Sequence, residues 1–348
     1  MLTAILILSF LIFFHELGHF LMARLVGVKV EVFSIGFGKK LFCKKIGDTN
    51  WCISAIPLGG YVQMKGQDDS NPLAKSDDKD SYTSKSPWQR ILILLGGPGF
   101  NFLLAFLIYI FIAINGWPKL APIVGKTLPN TPAAKVLKSG DKIIEVNGVK
   151  VKSWDDVGRL IQESKNEVKL KIICNRKIIM LTLKSKIEIT ENIFKEKIKR
   201  KIIGITPSGE TIKLHYSGIE VLKIAFEKVI NDATLIFKSV QKLITGALGL
   251  DTLSGPIGIV DVTAKVSQAG IIPLLFLTAL LSVNLGVLNL LPIPALDGGH
   301  IMFNLYEGIF KREVNEEVMY RLTIAGWILL GSLMIVGVVN DIRRILGG

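Results

Sequence analysis

The chain has 348 residues, 49% of them hydrophobic, and a formal net charge of +13; its mean hydropathy is +0.45. So apolar a composition excludes an ordinary soluble domain. The lysines are scattered, with no aromatic-interleaved basic stretch and no zinc-finger or helix-turn-helix spacing, which argues against nucleic acid and for the anionic head groups of a lipid bilayer as the partner of that charge.

The first apolar run, Leu2 to Phe14, has no basic leader and no small-residue cleavage site behind it. It continues through HELGH into FLMARLVGV. A span needs about 20 apolar residues. Residues 2–26 reach that length only with HELGH included, so a retained helix is predicted.

Residues 31–64 alternate β-branched and aromatic residues around glycines, the pattern of hairpin strands. Such strands can lie at a membrane surface or dip into it where protein or water satisfies their backbone. The tract from Gln67 to Lys85, with Asp68, Asp69, Asp77, Asp78 and Asp80, reads as a solvated linker. A second span is predicted over 91–114, closing the N-terminal membrane core at 1–114.

Residues 115–190 read as one small β-rich domain. IVGKTL, DKIIEVNGVKV, EVKLKIIC and KIIMLTLKS are strand-like. Asn147-Gly148 signals a hairpin turn, and Ser153 is a candidate N-cap for SWDDVGRLIQES. The segment 191–270 contains an amphipathic helix over 219–247, with Leu222, Phe226, Ile230, Phe237 and Ile244 at helical spacing. It is expected either on the soluble domain or on the bilayer.

The C-terminal membrane core, 271–348, holds two further spans, 271–291 and 322–339. Four spans put both termini on one side. The two short inter-helix regions carry Arg24, Lys29, Lys39, Lys40, Lys44, Lys45, Lys65 and Arg90 in one, Lys311 and Arg312 in the other. The positive-inside rule makes both cytoplasmic and the long insert exterior or periplasmic. Cys43, Cys52 and Cys174 form no metal motif and no disulfide framework, so ordinary thiols are expected.

Three ionisable groups stand inside the first span. His15 and His19 are four apart, hence on one helix face a turn apart. Glu16 follows about 100° further round, the position of a general base in HExxH helices. Each such group costs roughly 2.5–3.5 kcal/mol at mid-membrane, so a function is the default reading. Imidazole suits Zn²⁺, and two histidines leave room for a third ligand and a water. Asp297 in NLLPIPALDGGH is the first candidate for that ligand, because Pro292 and Pro294 interrupt the preceding helix and two glycines allow close approach. His300 is a rival, and a helix cap is the other role open to Asp297.

HELGH in the first span and LDGG after the third resemble the site-2 protease family of intramembrane zinc metalloproteases, here the regulator-of-sigma-E (RIP metalloprotease) group. GFG at 36–38, IPLGGYVQM at 56–64, GGPGFNF at 96–102, SGPIGI at 254–259 and NLGVLNLLPIPALDGGH at 284–300 extend the likeness over almost the whole chain. The resemblance implies a polytopic α-helical membrane protein with a membrane-associated β-hairpin and an inserted PDZ-like domain. It implies His15, His19 and Asp297 as zinc ligands and Glu16 as catalytic base. Asn284, Asn289, Gly36, Phe37 and Gly38 would engage the substrate, a single-span membrane protein, in a bacterial inner membrane. The group's best-known members carry two PDZ domains, and this chain has room for one. Two other classes stay open from the residues alone, a non-catalytic scaffold with a structural metal and a metal transporter.

Overall fold

The computed structural model describes residues 2–67, 76–194 and 196–347. Among these, four helices are long and apolar enough to cross a membrane. The chain divides into two compact units, 1–111 with 222–348, and 112–221.

Helix α1 (Leu2–Leu25) carries HELGH without a break. Strands β1 (Val30–Ile46) and β2 (Thr49–Met64) follow, joined at Gly47-Asp48, where Gly47 takes φ 62°, as the first position of a type II′ turn requires. The pair is more than the expected hairpin. Val32–Ile35 lies alongside Gly60–Gln63 and also alongside Asn50–Ile53, while Lys40–Ile46 pairs with Thr49–Ser54. The two strands thus fold back on themselves into four segments, ordered 40–46, 49–54, 30–35, 60–64. The folding back occurs at Gly36 and Gly38, both with positive φ. Phe33 stacks on Trp51 at 4.5 Å and meets Phe13 and Phe20 of α1 edge-on. Ala23, Val28, Val30, Val62, Met64 and Ile93 complete that buried cluster, which fixes the sheet against the metal-motif helix.

Two expectations about this region change. Cys43 and Cys52 face each other in register and are disulfide-bonded; pairing across adjacent segments, not sequence spacing, makes the bridge possible. Residues 76–86 are no simple linker. Lys65 binds Asp78 and Asp80 at 2.9 and 2.7 Å, and Ser81 is fully buried. Asp68 and Asp69 lie outside the described residues.

Helix α2 runs Pro87–Asn115, longer than 91–114, with Pro98 inside it. The second unit then contains β3 (Trp117–Leu120), β4 (Val124–Thr127), β5 (Lys142–Val146), β6 (Val149–Lys150), α3 (Trp154–Glu163), β7 (Glu167–Cys174), β8 (Lys177–Lys184), β9 (Lys186–Glu191), β10 (Lys197–Ile202), β11 (Ile205–Pro207) and β12 (Thr211–Leu214). A four-stranded sheet, β6-β5-β7-β8, packs Ile143, Val146, Leu170 and Ile172 against Val157, Leu160 and Ile161 of α3. Asn147 and Gly148 both take positive φ at the β5–β6 turn, and Ser153 caps α3 within a capping box. The unit extends past residue 190, because β11 pairs with β4 and β12 with β3.

Helix α4 (Ile219–Ile244) leaves Phe226, Phe237 and Ile244 exposed along one stripe. Four more helices follow, α5 (Pro256–Gln268), α6 (Ile271–Asn289), α7 (Asp297–Phe310) and α8 (Glu316–Ile345). Sequence periodicity did not separate α5 and α7. The α8 residue Asp341 is 2% exposed and accepts hydrogen bonds from the Gly258 amide (2.7 Å) and the Ser254 hydroxyl (3.1 Å), tying SGPIGI to the last span.

Candidate metal centre

The two imidazoles of α1 meet the first residue of α7. His15 Nε2 lies 3.3 Å from one carboxylate oxygen of Asp297, and His19 Nε2 lies 3.5 Å from the other. The two Nε2 atoms are 3.2 Å apart. Among the described residues, this trio is the only set of three or more His, Cys, Asp or Glu donors gathered within metal-binding reach. His300 is not part of it; its ring sits edge-on to Phe303.

Local sequence explains how Asp297 arrives. Pro292 and Pro294 stop α6 at Asn289, and the chain turns before α7 begins at Asp297. Gly298 and Gly299 sit so close to the carbonyls of Leu290, Leu291 and Ile293 that a Cβ on either would come within 2.4 Å of backbone. Glycine there lets α7 tuck under the end of α6.

The donor atoms converge on one space. His19 Nδ1 is 2.9 Å from the Ile93 carbonyl, which can only accept, so Nδ1 carries the hydrogen and neutral His19 presents a lone pair at Nε2. That lone pair points toward a carboxylate and a second imidazole nitrogen. Asp297 Oδ2 is buried without a hydrogen-bond partner among the described residues, and an orphaned buried acceptor costs about 1–3 kcal/mol, more if charged. Converging lone pairs of this kind suit a cation.

Glu16 sits beside the folded sheet. A Cβ on Gly60 would lie 3.3 Å from Glu16 Cγ, so the backbone at Gly60 runs directly against the Glu16 side chain. Gly36, Phe37 and Gly38 occupy the corner of the sheet instead, where the Phe37 ring covers Gly59 and stacks parallel to Tyr61 at 6.4 Å. Asn289 lies at the centre, its amide nitrogen 3.4 Å from His15 Nε2. Asn284 is five residues earlier on α6, about 140° around the helix, and no hydrogen bond joins it to the donors among the described residues.

Two residues of α2 complete the surroundings and were visible in the sequence only as part of GGPGFNF. Gly97 faces both imidazoles, and Asn101, one turn on, is fully buried with its amide nitrogen 3.1 Å from His15 Nδ1. The signal for Asn101 was a carboxamide inside an apolar span, which must find a partner there. Gly18 and Gly96 let α1 and α2 touch backbone to backbone, since a Cβ on either would lie within 2.5 Å of the other's carbonyl oxygen.

Four apolar helices and a His-His-Asp cluster formed where α1 meets the start of α7 define a polytopic membrane protein with a metallohydrolase-type centre. The model of Peptidase family M50 matches residues 3–333. A protein of Campylobacter jejuni provisionally named zinc metalloprotease Cj1068 is 45% identical, over 99% of this chain and 94% of that one. A similarly named protein of Helicobacter pylori strain J99 is 42% identical over 99% of both chains. Zinc metalloprotease RasP of Bacillus licheniformis is 30% identical over 98% of both. The PDZ domain of an SdrC-like protein from Listeria innocua is 24% identical over 26% of this chain and 96% of that one, with a TM-score of 0.22.

The chain belongs to Peptidase family M50. It is a multi-pass zinc metalloprotease of the site-2 type.

Proposed function

We propose that His15, His19 and Asp297 hold a zinc ion and that Glu16 serves as general base in cutting peptide bonds within the spans of single-pass membrane proteins. One observation carries the reading. A tetrahedral zinc with bonds of about 2.0–2.2 Å holds its donors roughly 3.3–3.6 Å apart; here the two Nε2 atoms are 3.2 Å apart, one carboxylate oxygen of Asp297 is 3.3 Å from His15 and the other is 3.5 Å from His19, and one donor atom from each residue lies within 4.8 Å of the other two. The donor types, two imidazoles and one carboxylate, leave a fourth position open, the mark of a catalytic site. The chemistry supplied by bound zinc is that of a Lewis acid, which polarises a carbonyl and makes water nucleophilic at neutral pH.

The remaining work falls to the chain. Glu16 takes a proton from the attacking water and returns it to the leaving amine. Asn289, beside His15 Nε2, has an amide group free to turn toward an unwound substrate backbone. The glycine-rich segments around Gly36, Phe37 and Gly38 and around Gly60 offer backbone edges to a substrate in extended form. Asn284, five residues earlier on α6, is the second carboxamide proposed to engage the substrate. A helical substrate hides its carbonyls, so extension must precede attack.

The inserted β-rich unit is read as a PDZ-like module that selects substrates already trimmed outside the membrane. The lysine and arginine distribution supports short loops on the cytoplasmic side of a bacterial inner membrane and the insert outside. The deciding experiment assays zinc content and cutting of a single-span substrate by the purified chain in detergent. Glu16→Gln is expected to keep zinc and lose cutting; undiminished cutting would overturn the role of Glu16.

A further inference from the structure

Asn101 is a carboxamide within an apolar span. It is fully buried on the face of α2 toward α1, one turn beyond Gly97. Its backbone carbonyl accepts a hydrogen bond from Ser282 of α6 at 2.7 Å, so its position is clamped between three helices. Its side-chain nitrogen faces His15 Nδ1 at 3.1 Å, and its Oδ1 is buried with no partner among the described residues.

The pairing as it stands gives His15 a donor at Nδ1. An imidazole that offers its Nε2 lone pair to a cation must carry its proton on Nδ1, and that N–H then needs an acceptor. His19 shows the arrangement already, with Nδ1 donating to the Ile93 carbonyl. For His15 the polar group at that distance from Nδ1 is the Asn101 amide. An amide turned by 180° about its last torsion has the same outline and exchanges Oδ1 for Nδ2. Two facing donors would thereby become one hydrogen bond, at no cost in volume.

We infer that Asn101 is the positioning residue of His15, its amide oxygen accepting the Nδ1 hydrogen and so fixing the tautomer and ring plane that present Nε2 beside Asp297. The inference rests on the metal-site reading above. It adds a member on a third element, α2, to a centre otherwise built from α1 and α7. It also gives the buried carboxamide of GGPGFNF a specific task.

The test uses the full-length chain in detergent, stripped of metal and titrated with Zn²⁺ against a chromophoric chelator, with helix content and melting checked for each variant. His15→Ala tests the underlying reading, because a wild type no tighter than His15→Ala would remove the metal site itself. Given a functional site, Asn101→Leu fills the volume without an acceptor and is expected to weaken zinc roughly 10–100-fold. Asn101→Asp restores an acceptor and is expected to bind within about threefold of the wild type or tighter. If Asn101 merely fills space, Leu keeps affinity and Asp loses it. If it acts as a donor, both lose it. Either pattern overturns the inference. Should Asn101→Leu fail to fold, the aspartate variant alone decides by the same criterion.

Discussion

Gly97 of α2 lies directly against His19 of α1. A Cβ built on Gly97 would stand 2.4 Å from His19 Nε2 and 2.6 Å from His15 Cε1, closer than any real side-chain atom could come. The backbone of the second span therefore forms one wall of the metal centre, and the absence of a side chain is what lets both rings sit where they do.

Gly97→Ala is accordingly expected to displace the imidazoles, lowering zinc affinity at least about 10-fold, the scale seen when groups that orient metal ligands are disturbed. Gly99, two residues along the same helix, has nothing within 4 Å of a would-be Cβ. Gly99→Ala should leave zinc binding and cutting unchanged. Chelator competition on both variants checks the pair, and equal affinity would show that the wall is soft.

Glu16 and the ligands should separate kinetically. Glu16→Gln removes proton transfer, typically worth 10²–10⁴-fold in rate, without removing a metal donor. Asp297→Asn removes a charged donor and should lose zinc and cutting together. Metal analysis beside a substrate-cleavage assay distinguishes the two.

The buried carboxylate of Asp341 holds the Gly258 amide and the Ser254 hydroxyl. Asp341→Ala leaves buried donors without an acceptor, a loss of roughly 1–3 kcal/mol. A lowered melting temperature with the metal donors intact is expected. Asp341→Asn, which keeps one carbonyl oxygen, should fall between it and the wild type.

In the inserted unit the pH response comes from α3. Burial alone would raise the carboxyl of Asp156, but hydrogen bonds from the Lys152 and Ser153 amides and the Ser153 hydroxyl, with Arg159 nearby, hold it below the usual range. A depressed folded value means that this stabilisation is complete above the unfolded value of about 3.9 and is lost as pH falls through the lower folded one. Protection of the α3 amides, taken relative to the intrinsic exchange rate at each pH, should therefore fall below about pH 4 in the wild type. In Asp156→Asn that acid-dependent fall should be absent.

The Cys43–Cys52 bridge reports compartment. Disulfides persist in oxidising spaces and are rare in the cytosol. If the 24–90 region lies on the cytoplasmic side, as proposed, the bridge is expected to be reduced in intact cells and its two thiols open to a membrane-permeant maleimide only. A bridge found in freshly quenched cells would place this sheet outside and reverse the topology.

Much of the molecule is local and was therefore legible. Hydrophobic run length gives the four crossing helices, and the four-residue spacing in HELGH puts His15 and His19 on one face whatever surrounds them. Asn147-Gly148 and Ser153 act within a few residues, and their turn and cap form as their chemistry dictates. The amphipathic pattern of 219–247 was equally local, but what covers its exposed stripe was not.

The sequence by itself determined which segments are helices in lipid and that the first of them carries groups too costly to be idle. Only the tertiary structure decided that Asp297 rather than His300 completes the trio, and that Asn101 and Gly97 of another helix enclose it. It also decided that the expected hairpin doubles back into four segments, and that strands after residue 190 return to β3 and β4. The reason is range. Periodicity and capping act over a turn or two, whereas these contacts join residues some 80 to 280 positions apart, or depend on which of several equivalent backbone edges pair. Such choices are settled by the packing of whole elements.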